Sequence, residues 1–456
     1  MNQHHRISQH ATVRDERPNW SLETDVLVVG GGAAGVAAAY TIARQGLKVL
    51  VLERYGFCGG GAVAGMSGTV CGLYLAHESD THAPERLVHG FVDEFIQAMD
   101  ARNGLTEPVR YGKTFTRVHE PHAWRESAEG LLASQNVQVL YHTIVTDVLL
   151  DGNERVAGVV AYTKQGKLEV RAKVTVDASG DADLAAMAGF ATRVGNEGRV
   201  QNPTMIFRLS GVDVTRFLNE YGEDSILPDR ITKLITTLNT EGDYKLPRAK
   251  VFLFPTPRPN ELICNCTRVV GADGRELNPL VAYDLSEAEY EGRKQVREYE
   301  RFFRDYLVGC ENAYLNDTGV QVGTRQTRQI VGVQTLTNDD VVSGRKRSDG
   351  VARSPWPIEL HSGDKPRLSW LFNDYYEIPY ECFVPQRGES LLVAGRCLSA
   401  EHEAMASARV TAQCFSYGHA IGHAAALAVN ENIAVRDIKG EDIRLLLNRD
   451  GAQLEG

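Results

Sequence analysis

The sequence predicts an α/β fold in which a Rossmann-like parallel sheet, with an inserted β-meander, carries a second, mixed α+β domain. Three observations predict it. A β-branched run, Val26–Val29, runs into a glycine-rich turn and an Ala-rich helix. Residues 137–178 alternate in the manner of strands, and a short apolar strand at residues 391–394 precedes a second Ala-rich helix. We therefore expect a sheet domain over residues 23–200 and 391–456, a substrate domain over residues 201–390 and a disordered arm over residues 1–22.

Composition narrows the class of protein. The chain has 456 residues and a net charge of −10, and 43% of its residues are hydrophobic, which are values typical of a soluble globular protein. An acidic chain with few clustered cations is a poor binder of nucleic acid, and no apolar run approaches the roughly 18 residues that cross a membrane. The first twenty residues lack the apolar stretch of a signal peptide. We expect a cytoplasmic enzyme with no nucleic-acid or membrane partner.

The eight cysteines predict neither a disulfide framework nor a metal site. They contain no Cys-x-x-Cys pair, and Cys264 and Cys266 would point to opposite faces of a strand. Cys58 lies beside a glycine loop, where it could be a covalent attachment point for a cofactor or a redox thiol, but we prefer a small core residue. We expect reduced thiols and no bound metal.

The first glycine turn predicts a dinucleotide site. Gly30 permits the tight turn, Gly32 lets the backbone approach a pyrophosphate, and Gly35 allows close packing of helix on strand. A second strand, Lys48–Leu52, ends on Glu53, which would accept hydrogen bonds from the adenosine ribose. The N-terminus of the helix would face the phosphates with unpaired N–H groups and a partial positive charge.

Two further segments favour a planar ligand close to the backbone. After Glu53 comes the glycine-dense GFCGGGAVAGMSG, which composition alone would equally allow as a flexible loop. The strand pattern then ends in VTVDASGDAD, which places Asp177, Gly180 and Asp181 between a strand and a helix.

In this order of segments the chain resembles the FAD-dependent oxidoreductases of the glutathione-reductase-like superfamily. Within it, the chain looks most like the family related to the fumarate reductase and succinate dehydrogenase flavoproteins. The resemblance rests on the first glycine turn and on VDASGDAD, GTRQTRQIVG, YEIPYECFVP and VAGRCLSAEHEA. It implies FAD as the cofactor. The implied cofactor-binding residues are Gly30, Gly32, Ala34, Gly35, Glu53, Arg54, Gly60, Gly61, Val145, Ala178, Gly180, Asp181, Gly395, Arg396, Arg409 and Val410.

One position departs from the wider superfamily. Many relatives have a Gly-Asp pair that bonds the ribityl chain where this sequence has Gly395-Arg396. Arg396 is therefore equally consistent with a contact to the ribityl chain and with a contact to a phosphate. The helix predicted over Arg409–Asn430 would aim its dipole at the flavin ring and stabilise negative charge on the reduced ring. Gly418 and Gly422 are spaced for close packing of this helix.

Polar residues in the family-like motifs are the catalytic candidates. We rank His402 first as a proton donor or acceptor and Arg328 second as an anion anchor, with His361 and Tyr375 behind them. A single histidine in such a motif is explained equally well by a structural hydrogen bond and by a catalytic role. Residues 200–390 hold no second glycine fingerprint, so we expect no separate NAD(P)H domain.

The predicted function is transfer of a hydride between a small organic substrate and flavin. Two alternatives remain: a flavin-dependent monooxygenase, and a flavin-carrying electron-transfer subunit without turnover of its own. A halogenase is disfavoured, because the Trp-x-Trp-x-Ile-Pro segment is absent and Trp356 stands alone. The sequence leaves the substrate, the direction of reaction, the electron acceptor and a homo-oligomeric state open.

Overall fold

The structure is a computed structural model that describes residues 20–79, 81–152, 154–361 and 367–455. Residues 1–19 of the predicted arm lie outside this described part. The first strand begins at Trp20, so residues 20–22 belong to the sheet and not to the arm.

The strands and helices follow in chain order. The strands are β1 Trp20–Val29, β2 Val49–Leu52, β3 Thr69–Val70, β4 Val109–Tyr111, β5 Thr114–Val118, β6 Gln138–Leu140, β7 Ile144–Asp151, β8 Arg155–Thr163, β9 Gly166–Asp177, β10 Thr192–Val194, β11 Phe207–Ser210, β12 Phe252–Pro255, β13 Glu261–Asn265, β14 Tyr314–Thr318, β15 Arg328–Ile330, β16 Gly350–Ser354, β17 Ile358–Leu360, β18 Arg367–Ser369, β19 Tyr376–Pro379 and β20 Leu391–Val393. The α-helices are α1 Ala33–Arg44, α2 Gly60–Val63, α3 Phe91–Asp100, α4 Pro121–Ser134, α5 Asp183–Met187, α6 Val214–Tyr221, α7 Asp229–Glu241, α8 Ala282–Tyr306, α9 Asn338–Val342, α10 His402–Ala408, α11 Thr411–Glu431 and α12 Gly440–Arg449.

A seven-stranded sheet forms the centre of what we call the sheet unit. Its order is β6-β2-β1-β9-β8-β7, with β20 also paired to β9. Strands β6, β2, β1, β9 and β20 are parallel, whereas β7, β8 and β9 pair antiparallel as a meander. The long strand β9 belongs to both parts, because its first half pairs with β8 and its last residues pair with β20. The predicted parallel sheet with an inserted meander is confirmed.

Helix α11 packs against α1 with little space between the two backbones. A Cβ added at Gly418 would lie 2.1 Å from the carbonyl oxygen of Ala34, and one at Gly422 would lie 2.6 Å from Cβ of Thr41. This confirms the predicted close packing of the two glycines. The helix predicted from Arg409 begins two residues later, at Thr411.

A second unit comprises the antiparallel sheet β12-β13-β11-β14 with helices α6, α7 and α8. Its apolar core is a separate cluster that runs from Met205 to Val322 along the chain. The predicted substrate domain extended to residue 390, but the buried side chains of residues 330–384 pack in the core of the sheet unit. The reason is that β16 packs on α11 and α12, so this late segment covers the sheet unit.

Candidate functional site

A large cavity lies between the two units. It encloses about 1930 Å³ when its solvent-open mouth is included. The sheet unit contributes the ends of β1 and β2, the Gly59–Gly61 loop and the N-termini of α1 and α11. The second unit contributes Thr204, Ile206, Phe254 and Asn265. The site is therefore built where parallel strands end, which is the usual place for ligands in such sheets.

The first glycine turn forms one wall of this cavity. Gly30 has φ of +101°, and a Cβ there would lie 2.4 Å from the carbonyl oxygen of Ala178. A Cβ on Gly35 would lie 1.8 Å from the carbonyl oxygen of Gly30. Gly32 caps α1 without any side-chain hydrogen bond among the described residues, so the first N–H groups of the helix face the cavity. The turn thus offers backbone donors and a helix dipole to an anion.

Glu53 is held at the end of β2 beside this turn. Its Oε2 accepts a hydrogen bond from the N–H of Gly31 at 2.6 Å, and its Oε1 accepts one from the N–H of Tyr55 at 2.8 Å. Burial raises the pKa of the Glu53 carboxyl, against these two donors. The side chain is 4% exposed and lines the cavity, where its oxygens can also meet a ribose.

The Gly59–Gly61 loop faces Gly32. A Cβ at Gly60 would lie 2.9 Å from Cα of Gly32, whereas a Cβ at Gly61 would meet no atom within 4 Å. Cys58 is fully buried behind this loop, and burial raises the pKa of its thiol to about 12. A protonated, buried thiol matches the core role that we preferred for Cys58.

The turn after β9 is fixed by a buried carboxylate. Asp177 accepts hydrogen bonds from the Ser179 hydroxyl at 2.6 Å and from the N–H of Leu184 at 2.9 Å, and burial raises the pKa of its carboxyl to about 6. Asp181 pairs with Arg396 at 3.1 Å. The guanidinium of Arg396 is therefore tied to this turn while it lines the cavity.

Most of the sixteen predicted cofactor residues line this one cavity. The fourteen that do are Gly30, Gly32, Ala34, Glu53, Arg54, Gly60, Gly61, Val145, Ala178, Gly180, Gly395, Arg396, Arg409 and Val410. Within the described chain, Gly35 and Asp181 lie behind the lining. Gly35 supports the turn by its close approach to Gly30, and Asp181 holds Arg396.

The four predicted catalytic residues are not brought together. Of them, His361 lines the cavity. Arg328 and Tyr375 are not among the described residues that line it. Arg328 pairs with Asp183 at 2.7 Å, and the centre of the Tyr375 ring lies 4.0 Å from Nζ of Lys346. Arg328 therefore has an internal carboxylate partner at the position where we expected it to anchor a substrate.

His402 also lies outside the described lining. It begins α10 and is half-buried, and burial lowers the pKa of its imidazole while the carboxylates of Glu403 and Glu276 oppose that shift. Its Nδ1 is buried without a hydrogen-bond partner in the described chain. The catalytic role of His402 stays a prediction.

Three guanidinium groups gather at the end of the cavity formed with the second unit. Arg325 donates to the carbonyl oxygen of Asn202 at 2.8 Å, and both Arg325 and Arg248 donate to Oδ1 of Asn265, at 3.3 and 3.0 Å. Burial, together with the charges of Arg409 and Arg248, lowers the pKa of Arg325 well below its ordinary value. These cations are therefore close together in a poorly solvated place.

The polar contacts of this cluster are incomplete. In the described part of the chain, Nε of Arg409 and one terminal nitrogen of Arg248 are buried without a hydrogen-bond partner. Arg409 and Arg325 line the cavity directly, whereas Arg248 lies beside them over the ring of Phe252. An unpaired buried cation is costly, so the cluster is suited to an anionic ligand.

One carboxylate faces the cations and organises the neighbouring polar groups. Oε1 of Glu359 accepts the Tyr111 hydroxyl at 2.8 Å and lies 3.0 Å from Nε2 of His361. Burial opposes ionisation of Glu359, but His361, Arg409 and Tyr111 together hold the pKa of its carboxyl below the ordinary value. Burial and then Arg325 lower the pKa of His361, so the neutral imidazole donates its Nε2 proton to an ionised Glu359.

An apolar wall accompanies these charges. Tyr111 stacks on Phe254 with ring centroids 6.0 Å apart and an interplanar angle of 7°, and Trp356 lies 5.2 Å from Tyr111. Tyr111, Phe254 and Glu359 are not among the site residues predicted from the sequence. Glu359 stands two residues before the predicted His361, and this spacing was the one signal in the sequence that could have found it.

The described residues hold one group with metal-ligand chemistry outside this cavity. His419 and His423 on α11 approach the same oxygen of Asp450, at 3.4 and 3.0 Å. The N–H of Phe91 points at Nδ1 of His419 at 3.4 Å, which leaves the His419 proton on Nε2 toward Asp450. This arrangement is that of two hydrogen bonds to a carboxylate, and a metal ion on Nε2 would have to displace it.

A glycine turn after a parallel strand, an uncapped helix N-terminus and an acid at the end of the next strand define a dinucleotide-binding α/β protein. The chain belongs to the FAD dependent oxidoreductase family, whose model matches residues 25–447. FAD is accordingly the cofactor, and the open backbone at Gly32 and Gly61 fits it.

Several other known proteins are similar to parts or all of the chain. The thiamine thiazole synthase of Sulfolobus acidocaldarius is 31% identical over 177 residues, which are 37% of this chain and 59% of that relative. A geranylgeranyl bacteriochlorophyll reductase-like protein from Thermoplasma acidophilum is 13% identical, with 94% of this chain and 83% of that chain covered and a TM-score of 0.49. The flavin-dependent brominase Bmp2 is 16% identical, with the same coverage and TM-score.

No helix among the described residues is both long and apolar enough to cross a membrane.

Proposed function

We propose that the protein moves a hydride between its flavin and a small organic anion that Arg325 and Arg409 bind. The observation that carries this proposal is the charge balance at the inner end of the cavity. Among the described residues at this end, the guanidiniums of Arg325, Arg409 and Arg248 are accompanied by one carboxylate, that of Glu359. A carboxylate or similar anion would supply the missing negative charge and the missing hydrogen-bond acceptor at Nε of Arg409.

The cofactor residues divide along the cavity. When bound, FAD supplies the hydride chemistry. Glu53 and Val145 would hold its adenosine end, and the Gly30–Gly32 backbone with the N-terminus of α1 would hold its pyrophosphate. The N-terminus of α11 at Val410 and Thr411 opens on the same cavity, beside Arg409. Its dipole would stabilise negative charge close to the substrate anion.

The chain's own proton carrier in this proposal is His361. With its Nε2 proton donated to Glu359, the other ring nitrogen is unprotonated and can accept a proton from the substrate. Tyr111 donates to the same oxygen of Glu359, which holds the carboxylate in place so that it orients the imidazole. An anion paired with Arg325 offsets the charge that lowers the pKa of His361, so binding of the substrate makes His361 a stronger base.

We also propose the superfamily membership and the cellular location that the sequence suggested. A meander inserted before β9 and the return of β20 to the same sheet support membership of the glutathione-reductase-like superfamily and kinship with the fumarate reductase flavoproteins. All eight cysteines are free thiols, which supports a reducing, cytoplasmic location.

Anaerobic reduction of the bound flavin tests the proposed substrate class. The panel should pair each hydroxy acid or amino acid with its neutral amide and add simple alcohols and amines. Bleaching by one or more of the acids, with at least tenfold slower bleaching by the matched amides, is expected. Equal bleaching by an acid and its amide would contradict the anion site.

A further inference from the structure

The segment between β14 and β15 lies against both units. Gly323 and Thr204 exchange two backbone hydrogen bonds, at 2.7 and 3.0 Å, which fixes the segment to the second unit. Two residues earlier, the N–H of Gln321 donates to the carbonyl oxygen of Ala64 at 3.1 Å, which belongs to the glycine-rich stretch of the sheet unit. The backbone of Gln321 is therefore held where the units meet.

The side chain of Gln321 extends this contact along the cavity. Its Oε1 accepts a hydrogen bond from Arg54 at 2.9 Å and another from the Tyr55 hydroxyl. An amide oxygen has two lone pairs, so both are used. Arg54, Tyr55 and Gln321 all line the cavity, and Arg54 is exposed. The bridge that these three side chains form therefore lies on the solvent side of the cavity.

Neighbouring rings hold the two donors in place. The guanidinium of Arg54 lies over the ring of Tyr55, 4.9 Å from its centroid. Tyr55 in turn stacks on Phe57 with centroids 5.4 Å apart and an interplanar angle of 6°, and the guanidinium of Arg125 lies over the ring of Phe57, 4.2 Å from its centroid. The donors are thus organised on the sheet unit without help from Gln321.

We propose that Gln321 is a cofactor-retention residue, whose bonds to Arg54 and Tyr55 join the two units across the cavity and must break before FAD leaves. Arg54 follows Glu53, whose carboxylate bonds the glycine turn, so the bridge adjoins the part of the cavity assigned to adenosine and pyrophosphate. A hydrogen bond from a guanidinium is charge-assisted and stronger than a neutral one. The inference rests on FAD as the cofactor and is independent of the proposed substrate.

Release of FAD from the loaded protein tests this proposal. On dilution, the recovery of free FAD fluorescence gives the dissociation rate directly. We expect Gln321→Ala to release FAD about tenfold faster than the natural protein, because one charge-assisted bond and one neutral bond are lost. Gln97→Ala is the matched control, since Gln97 is exposed on α3 outside the described cavity lining, and its release rate should not change.

Two further variants keep the test decisive. Gln321→Asn retains the amide but withdraws its oxygen by one methylene, and it should also release FAD faster even if Gln321→Ala folds poorly. In a cycle with Tyr55→Phe, the combined variant should release FAD less rapidly than the product of the two single effects predicts, because both changes remove the same contact. An unchanged release rate in folded Gln321→Asn, or full additivity in the cycle, would overturn the proposal.

Discussion

The two ends of the cavity are made in different ways. At the dinucleotide end the ligand-facing groups are backbone atoms of one short segment, Gly30–Gly35, with Glu53 at the end of the following strand. At the inner end the polar and charged groups come from Tyr111, Arg325, Glu359 and other positions far apart in the chain. The first end depends on local conformation and the second on tertiary packing, so the two should respond differently to substitution.

The largest expected effect is at the dinucleotide end. Gly32→Val should fold but purify without flavin, because Gly32 has φ of −72° and a Cβ there meets only Gly60 Cα, at 3.8 Å, so the side chain would occupy the cavity and not the core. The ratio of flavin to protein absorbance and the thermal midpoint of the apoprotein measure this.

Gly35→Val is the matched contrast. Its Cβ would lie 1.8 Å from the carbonyl oxygen of Gly30, so that variant should fail to fold stably. A yellow Gly32→Val protein with a full complement of flavin would contradict the assignment of this end of the cavity to the dinucleotide.

At the inner end, Arg325→Gln should lower kcat/KM for the anionic substrate about 100-fold while FAD remains bound. Arg328→Gln is the comparison, since Arg328 is bonded to Asp183 and lies outside the described lining. The sequence predicts a raised KM for Arg328→Gln, and the structure predicts reduced stability with KM unchanged. Steady-state kinetics and thermal unfolding of both variants decide between them.

Substitution of His361 in the cavity and of His402 at the start of α10 shows which of the two histidines takes part in flavin reduction. His361→Gln should slow flavin reduction about 100-fold, which is the usual size of a general acid-base contribution. The sequence ranks His402 first and predicts a similar loss for His402→Ala. Stopped-flow reduction of flavin-loaded variants measures both rates, and an unchanged rate for either histidine would remove it from the catalytic candidates.

The smallest expected effect is a displacement of the pH profile. Because burial and Arg325 lower the pKa of His361, the imidazole stays neutral down through pH 6.5, and kcat/KM should fall only at lower pH as His361 gains its proton. The carboxylate of Glu359 raises the pKa of His361, so Glu359→Gln should move this acid limb to still lower pH. A limb that keeps its position in Glu359→Gln would show that the two groups are not coupled.

The geometry of the first glycine turn could be predicted from the sequence because it is encoded locally. Gly30 must have a positive φ and Gly32 must lack a side chain, and both requirements leave a readable spacing. The inner end was only partly predictable. Arg325 and His361 stood in recognisable motifs, but nothing in the neighbourhood of Tyr111 indicates that the fold brings it to Glu359, 248 residues away.

The choice of Arg328 rather than Arg325 as the predicted anion anchor has the same origin. The motif GTRQTRQ contains two arginines, and sequence spacing does not say which of them faces the cavity. Strand β15 begins at Arg328 and pairs with β10, which directs this side chain toward Asp183, whereas Arg325 precedes the strand and points into the site.

A crystal structure of the FAD-loaded protein with a bound small carboxylate tests the account most directly. It should show the pyrophosphate against the N–H groups of Gly32 and Ala33, with the flavin ring near Val410 and the carboxylate between Arg325 and Arg409. A flavin ring at Arg54 and Tyr55, or a carboxylate bound away from both inner arginines, would contradict it.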